Sequence, residues 1–140
     1  MRIENRQKLV RVLLGKSQKS LEAAKALLKD GFSEAAASRA YYAAFYLAQA
    51  ALATKDISRN KHSGVIAAFG EHLTKKSILP ESLHRILLNL YELRVISDYS
   101  VEEVPSLAQA REALEAAKEF VKAVESYLRD WLKEKPNPSF

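Results

Sequence analysis

The stretch SEAAASRAYYAAFYLAQAALAT, residues 33–54, decides the fold. It holds no proline or glycine, and its alanines have the highest helix propensity of any residue, so it reads as one helix. Ser33 is the expected N-cap, with Ala36 and Ala37 in the first turn. The segment is apolar nearly all round, whereas a surface helix keeps a polar face. It is therefore the central helix, enclosed by its neighbours or by a second subunit. Alanines such as Ala40, Ala44 and Ala48 would let other helices approach closely.

Working outward, the remaining segments also read as helices. An N-terminal helix spans about Glu4 to Asp30, with a stripe of Val10, Leu13, Leu14, Ser17, Leu21, Ala24 and Leu28, and Gly31 stops it. After the charged loop Lys55 to Lys61, a shorter helix covers about Ser63 to Lys75. Pro80 fits the first turn of a fourth helix that reaches about Ser97, because a proline loses no hydrogen bond there. A fifth starts near Pro105 or Ser106 and runs to about Lys133. Its seam of Leu107, Ala110, Leu114, Ala117, Val121, Val124, Leu128 and Trp131 steps by three and four residues. Pro136 and Pro138 close it. The expected architecture is all-α, an up-and-down bundle of four to five helices in one domain over residues 1–135, with a short tail at 136–140.

The chain has 140 residues, of which 48% are hydrophobic and 28% charged, a globular composition able to bury a core without staples. The absence of cysteine excludes disulfides, thiolate metal sites and thiol chemistry. Three histidines without ligand spacing make a poor metal centre, and no cofactor is expected. No apolar run is long enough to span a bilayer, and the first residues lack a signal-peptide pattern, so the expected location is cytoplasmic. The net charge of +5 is uneven: residues 1–30 hold eight Lys or Arg against three Asp or Glu. Such a face suits nucleic acid or an acidic partner, and equally a solvated lysine-rich surface.

Two charges stand where leucines are expected. On the fourth helix Leu83, Leu87, Leu90, Tyr91, Arg94 and Asp98 fall within a sector of roughly 80°, the core side. A charge there must be paired or open into a cleft. The pair is either an i,i+4 tie at the helix end or part of a site. On the central helix Arg39, Tyr42 and Tyr46 share a face, and arginine flanked by tyrosines suits a phosphate and a stacked base. Arg39 has a second reading, as the buried partner of Asp98. Tyr41, Phe45, Ala48 and Leu52 read as core or dimer surface. His62, in Asn60-Lys61-His62-Ser63-Gly64, is either a phosphate contact near a helix N-terminus or an ordinary loop histidine. His72 and His84 read as surface positions.

Three motifs resemble the HEPN family: Ser38-Arg39-Ala40-Tyr41-Tyr42-Ala43-Ala44-Phe45-Tyr46, Lys61-His62-Ser63-Gly64-Val65 and Leu93-Arg94-Val95-Ile96-Ser97-Asp98-Tyr99. The chain is most similar to small stand-alone prokaryotic members. The resemblance covers about residues 5–130 and implies a bundle that dimerises, binds nucleotide or RNA, and pairs with a small nucleotidyltransferase in toxin–antitoxin fashion. Arg39, Tyr42, Tyr46, His62 and Tyr99 are then the candidate ligand-binding residues, and Arg94 and Asp98 the candidate catalytic ones. Ribonucleases of this family carry Arg followed, after four to six residues, by His. Arg94 matches the first half, but Val95 to Val101 contain no histidine, so the usual proton carrier is missing. A ribonuclease with a different base and a purely structural protein are the alternatives.

Overall fold

The computed structural model describes residues 1–99 and 104–134. Among them five α-helices follow in order: α1 Ile3–Lys29, α2 Ser33–Ala53, α3 His62–Phe69, α4 Ser82–Tyr99 and α5 Leu107–Glu134. This is the all-α bundle that the periodicity predicts. A π-helical turn, Gly70–Thr74, extends α3, and the expected tail at 136–140 lies outside the described residues.

The central helix is α2, and its own chain encloses it. Ala40, Tyr41, Ala43, Ala44, Leu47, Ala48, Ala50 and Ala51 are fully buried, in one core with Val10 and Ala24 of α1, Leu87 of α4 and Phe120, Val124 and Leu128 of α5. The small side chains bring α1 close enough for the buried Ser17 hydroxyl to donate to the Ala43 carbonyl at 2.7 Å. The apolar circumference of α2 is thus satisfied within one chain and does not itself require a second subunit.

Three chain reversals among the described residues share one arrangement. At the end of α1, Gly31 takes φ 84°, Phe32 N–H donates to Leu27 O and Gly31 N–H to Leu28 O, the Schellman arrangement. The same pair of bonds recurs around Asp56 (φ 58°) and Ser77 (φ 59°). Asp and Ser serve there where glycine is the usual signal. At α5 the Ser106 hydroxyl accepts from Gln109 N–H at 3.1 Å while Ser106 N–H donates to the Gln109 amide at 2.9 Å, a reciprocal capping box.

Four sequence expectations are corrected. Ser33 is the first helical residue and Phe32 occupies the cap position without a side-chain bond, because the Gly31 turn leads the chain directly into α2. The fourth helix begins at Ser82, with Pro80 in the turn before it, where its carbonyl accepts from Leu83 N–H at 3.1 Å. Leu107, placed on the buried seam, is 40% exposed, since the first turn of α5 projects past the core. His72 and His84, read as surface positions, are half-buried; the His84 ring packs so closely on Gly70 that a Cβ there would lie 2.7 Å from Nε2.

The far end of α2 is held by Arg6, whose Nε and Nη2 donate to Ala53 O and Thr54 O at 2.8 and 2.6 Å while its guanidinium lies 5.7 Å from the Trp131 ring centre. Charged donors on helix-terminal carbonyls are among the stronger hydrogen bonds. Arg6→Ala should lower the unfolding free energy by about 1–2 kcal/mol in guanidinium melts. Arg6→Lys should recover only part of it, because an ammonium lacks the planar fork.

Candidate functional site

One stripe of α2 remains half-exposed: Arg39, Tyr42 and Tyr46. Cations from three helices lie over its rings. The Arg39 guanidinium is 4.7 Å from the Tyr42 centre, Arg94 of α4 is 5.1 Å from the same ring and 5.7 Å from that of Tyr41, and Lys16 of α1 is 5.7 Å from Tyr46. Tyr42 and Tyr46 are themselves 5.8 Å apart. The result is a continuous strip of cations and phenols, each cation held by an aromatic quadrupole.

At the end of α4 the Arg94 Nη2 stands 3.4 Å from an Asp98 carboxylate oxygen, with side-chain exposures of 24% and 47%. An i,i+4 pair this exposed contributes little to stability. Its partner assignment also decides the alternatives left open: Asp98 pairs with Arg94, Arg39 lies on Tyr42, and the Arg39–Asp98 pair is not formed. The Nε of Arg94 is buried and meets no acceptor among the described residues, an unmet donor that a fully structural ion pair would not leave. Ser97 donates to Glu34 at 2.8 Å, tying the end of α4 to the start of α2. Beside this tie opens a cavity of about 530 Å³ lined by Ser33, Glu34, Ser38, Arg94, Ser97 and Asp98 among others. Tyr99 is 86% exposed and takes no part in the ring contacts of the cluster.

His62 opens α3 and faces this group. Its ring stacks on Phe45 with centres 4.2 Å apart and planes 8° from parallel, meets Tyr42 edge-on, and lies 6.3 Å from Tyr91. Its Nδ1 is 2.7 Å from the Tyr41 hydroxyl. Burial, and then the positive charge of Arg94, hold its pKa below the ordinary imidazole range. Burial pushes the Tyr41 phenol the other way, well above its ordinary value. His62 and Arg94, distant in sequence, thus flank the same two tyrosine rings.

Sequence reasoning assigned Tyr41 to core or dimer surface, Tyr91 to the apolar stripe, and did not single out Lys16. Tyr41 is fully buried and belongs to the site through its hydroxyl. The signal was available, since a buried tyrosine needs a partner for its O–H. No group of three His, Cys, Asp or Glu among the described residues could hold a metal ion. What the cluster offers is two guanidiniums, a neutral imidazole and aromatic faces, a set suited to an anion joined to a planar ring.

The lowered imidazole pKa sets a pH dependence. In the unfolded chain His62 binds a proton near pH 6.5, and in the folded chain, with Tyr41, Tyr42, Phe45 and Tyr91 against it and the charge of Arg94 acting on it, only at lower pH. The unfolded state therefore binds more protons, so its contribution to stability is complete above that pH and is lost as pH falls toward the folded value. Melting temperatures between pH 7.5 and 5 should decline, and the decline should be shallower in His62→Gln.

The chain matches the HEPN domain model over residues 10–127. A protein of Methanocaldococcus jannaschii named "putative toxin" is 32% identical over 123 residues, 88% of this chain and 91% of that protein. A second of that name from the same organism is 34% identical over 116 residues, 83% and 79% of the two chains. A UPF0332 protein of Gloeobacter violaceus is 39% identical over 87 residues, 62% and 69%. With the helix order and the matched span together, the chain belongs to the HEPN domain family.

Proposed function

We propose that this chain is a nucleotide- or RNA-binding HEPN module of the toxin–antitoxin type, acting as a homodimer beside a small nucleotidyltransferase. The observation that carries the binding reading is the Arg94 side chain: its guanidinium lies over two tyrosine rings with a buried Nε that has no acceptor among the described residues. A phosphoryl oxygen supplies the missing acceptor, while Tyr42 and Tyr46 offer aromatic surface to a base. The strip of Arg39 and Lys16 and the net charge of +5 favour a polyanion. The toxin-type assignment rests on the names of the two Methanocaldococcus relatives, and the nucleotidyltransferase on the associations of the family.

Cleavage is not part of this reading. No histidine follows Arg94 on α4, and Asp98 is engaged with Arg94, so the end of α4 beyond Arg94 carries no group suited to move a proton near neutral pH.

Support for a homodimer comes from α4 and the start of α5, which leave Leu88, Ile96, Val104 and Leu107 exposed. Between α4 and α5 a groove of about 310 Å³ is lined by Ile86, Leu90, Leu93 and Ala113 among others. A second copy would take this apolar surface out of water. Sedimentation at tens of micromolar should give a dimer that Ile96→Asp together with Leu107→Asp converts to monomer. A wild-type monomer under those conditions would refute the assembly.

Binding is tested by fluorescence anisotropy with a labelled single-stranded oligouridylate. Arg94→Ala and Tyr42→Ala should each weaken it by roughly tenfold or more, in line with about 1–3 kcal/mol for a stacked base or a charged hydrogen bond. Lys16→Ala should have a smaller effect that disappears at high salt. Wild-type affinity in the Arg94 variant, with the fold intact by circular dichroism, would remove the basis of the proposal.

A further inference from the structure

The tautomer of His62 is set from beneath. Tyr41 is fully buried, and among the described residues the only polar group bonded to its hydroxyl is the Nδ1 of His62, at 2.7 Å. The phenol keeps its proton throughout the working pH range, and that proton needs an acceptor. Nδ1 can accept only when the imidazole proton resides on Nε2. In the reverse arrangement Nδ1–H would donate to the phenol oxygen and strand a buried hydroxyl proton, the costlier state.

The other edge of the ring makes no hydrogen bond among the described residues. Among the described residues, the only buried side-chain nitrogen or oxygen left unpaired is the Nε of Arg94. The Nε2 of His62, whose ring makes its one hydrogen bond through Nδ1, is therefore within reach of solvent. It belongs to a ring that flanks Tyr41 and Tyr42, the same two phenols over which Arg94 lies.

We propose that His62 is a neutral hydrogen-bond donor of the ligand face, fixed as its Nε2–H tautomer by the Tyr41 hydroxyl, and that it binds a phosphoryl oxygen alongside Arg94 instead of acting as a base. Tyr41 is then a positioning residue, acting through the imidazole without touching ligand. The ligand half of this inference rests on the binding function proposed above; the tautomer half does not. The cationic donor supplies charge, and the neutral one adds direction without repelling Arg94. An imidazole already protonated at Nε2 has no lone pair there to accept the 2′-hydroxyl proton, so the one histidine near Arg94 does not replace the histidine missing from α4.

The test has two arms. In the first, long-range nitrogen–proton NMR on histidine-labelled, ligand-free protein near neutral pH should show His62 as the Nε2–H tautomer, and Tyr41→Phe should turn it into a mixture. An Nδ1–H tautomer, or a mixture already present in the wild type, would overturn the proposal. In the second, His62→Ala should weaken oligouridylate binding by roughly five- to twentyfold. His62→Gln, whose amide N–H can replace Nε2–H, should stay within about threefold of wild type. Unchanged affinity in His62→Ala, or wild-type RNA cleavage abolished in His62→Gln, would overturn the donor role. Because the first arm needs no ligand, a face that fails to bind RNA and an imidazole that fails to hold its tautomer are told apart.

Discussion

A helix built mainly of alanine and aromatic residues has to be covered along nearly all of its circumference, and the other helices are placed by that requirement. The alanines of α2 let α1 approach until the Ser17 hydroxyl reaches the Ala43 carbonyl, and they leave room on the remaining sides for the apolar faces of α5, α4 and α3. Close backbone approach yields dense packing from small side chains, so burial is spread over many contacts and no single large residue dominates. The helix ends are then closed by backbone geometry and by Arg6.

The same requirement creates the site. Where the cover of α2 is incomplete, Arg39, Tyr42 and Tyr46 come to the surface, and the helices that border the gap contribute Lys16, His62 and Arg94. Cations are placed over phenol faces, a partly desolvated arrangement that favours them electrostatically without neutralising them. Arg94 shows the balance most clearly. It is paired with Asp98 on one side and unpaired at Nε on the other, so the pair is neither a free surface contact nor a closed structural network. The opposite pKa shifts of His62 and Tyr41 have one main cause, loss of water around a hydrogen-bonded pair.

Much of this was legible in residue order. The helical period and the glycine stop at Gly31 are local signals whose physics is complete within a few residues, and they marked out the helices. The circumference of α2 identified the central helix, and Arg94 and Asp98, read as charges on an apolar face, marked one edge of the candidate site, although Asp98 is exposed and not on the core side. The turns at Asp56 and Ser77 were not legible, because their left-handed conformation is imposed by the Schellman bonds and not announced by glycine. Nor was the exposure of Leu107, since periodicity says which side a residue faces but not where the neighbouring core ends.

What the sequence by itself determined is therefore the class of fold, the identity of its central helix and the residue types of the candidate face, all consequences of patterns within single helices. The partner of each charge was a matter for tertiary structure alone. Arg39 could have met Asp98, and His62 could have remained a loop histidine. Packing instead put Arg39 over Tyr42, left the Nε of Arg94 without an acceptor, and set His62 on the buried hydroxyl of Tyr41. These pairings join groups far apart in the chain and depend on how deeply α2 is enclosed, and no spacing along one helix encodes that depth.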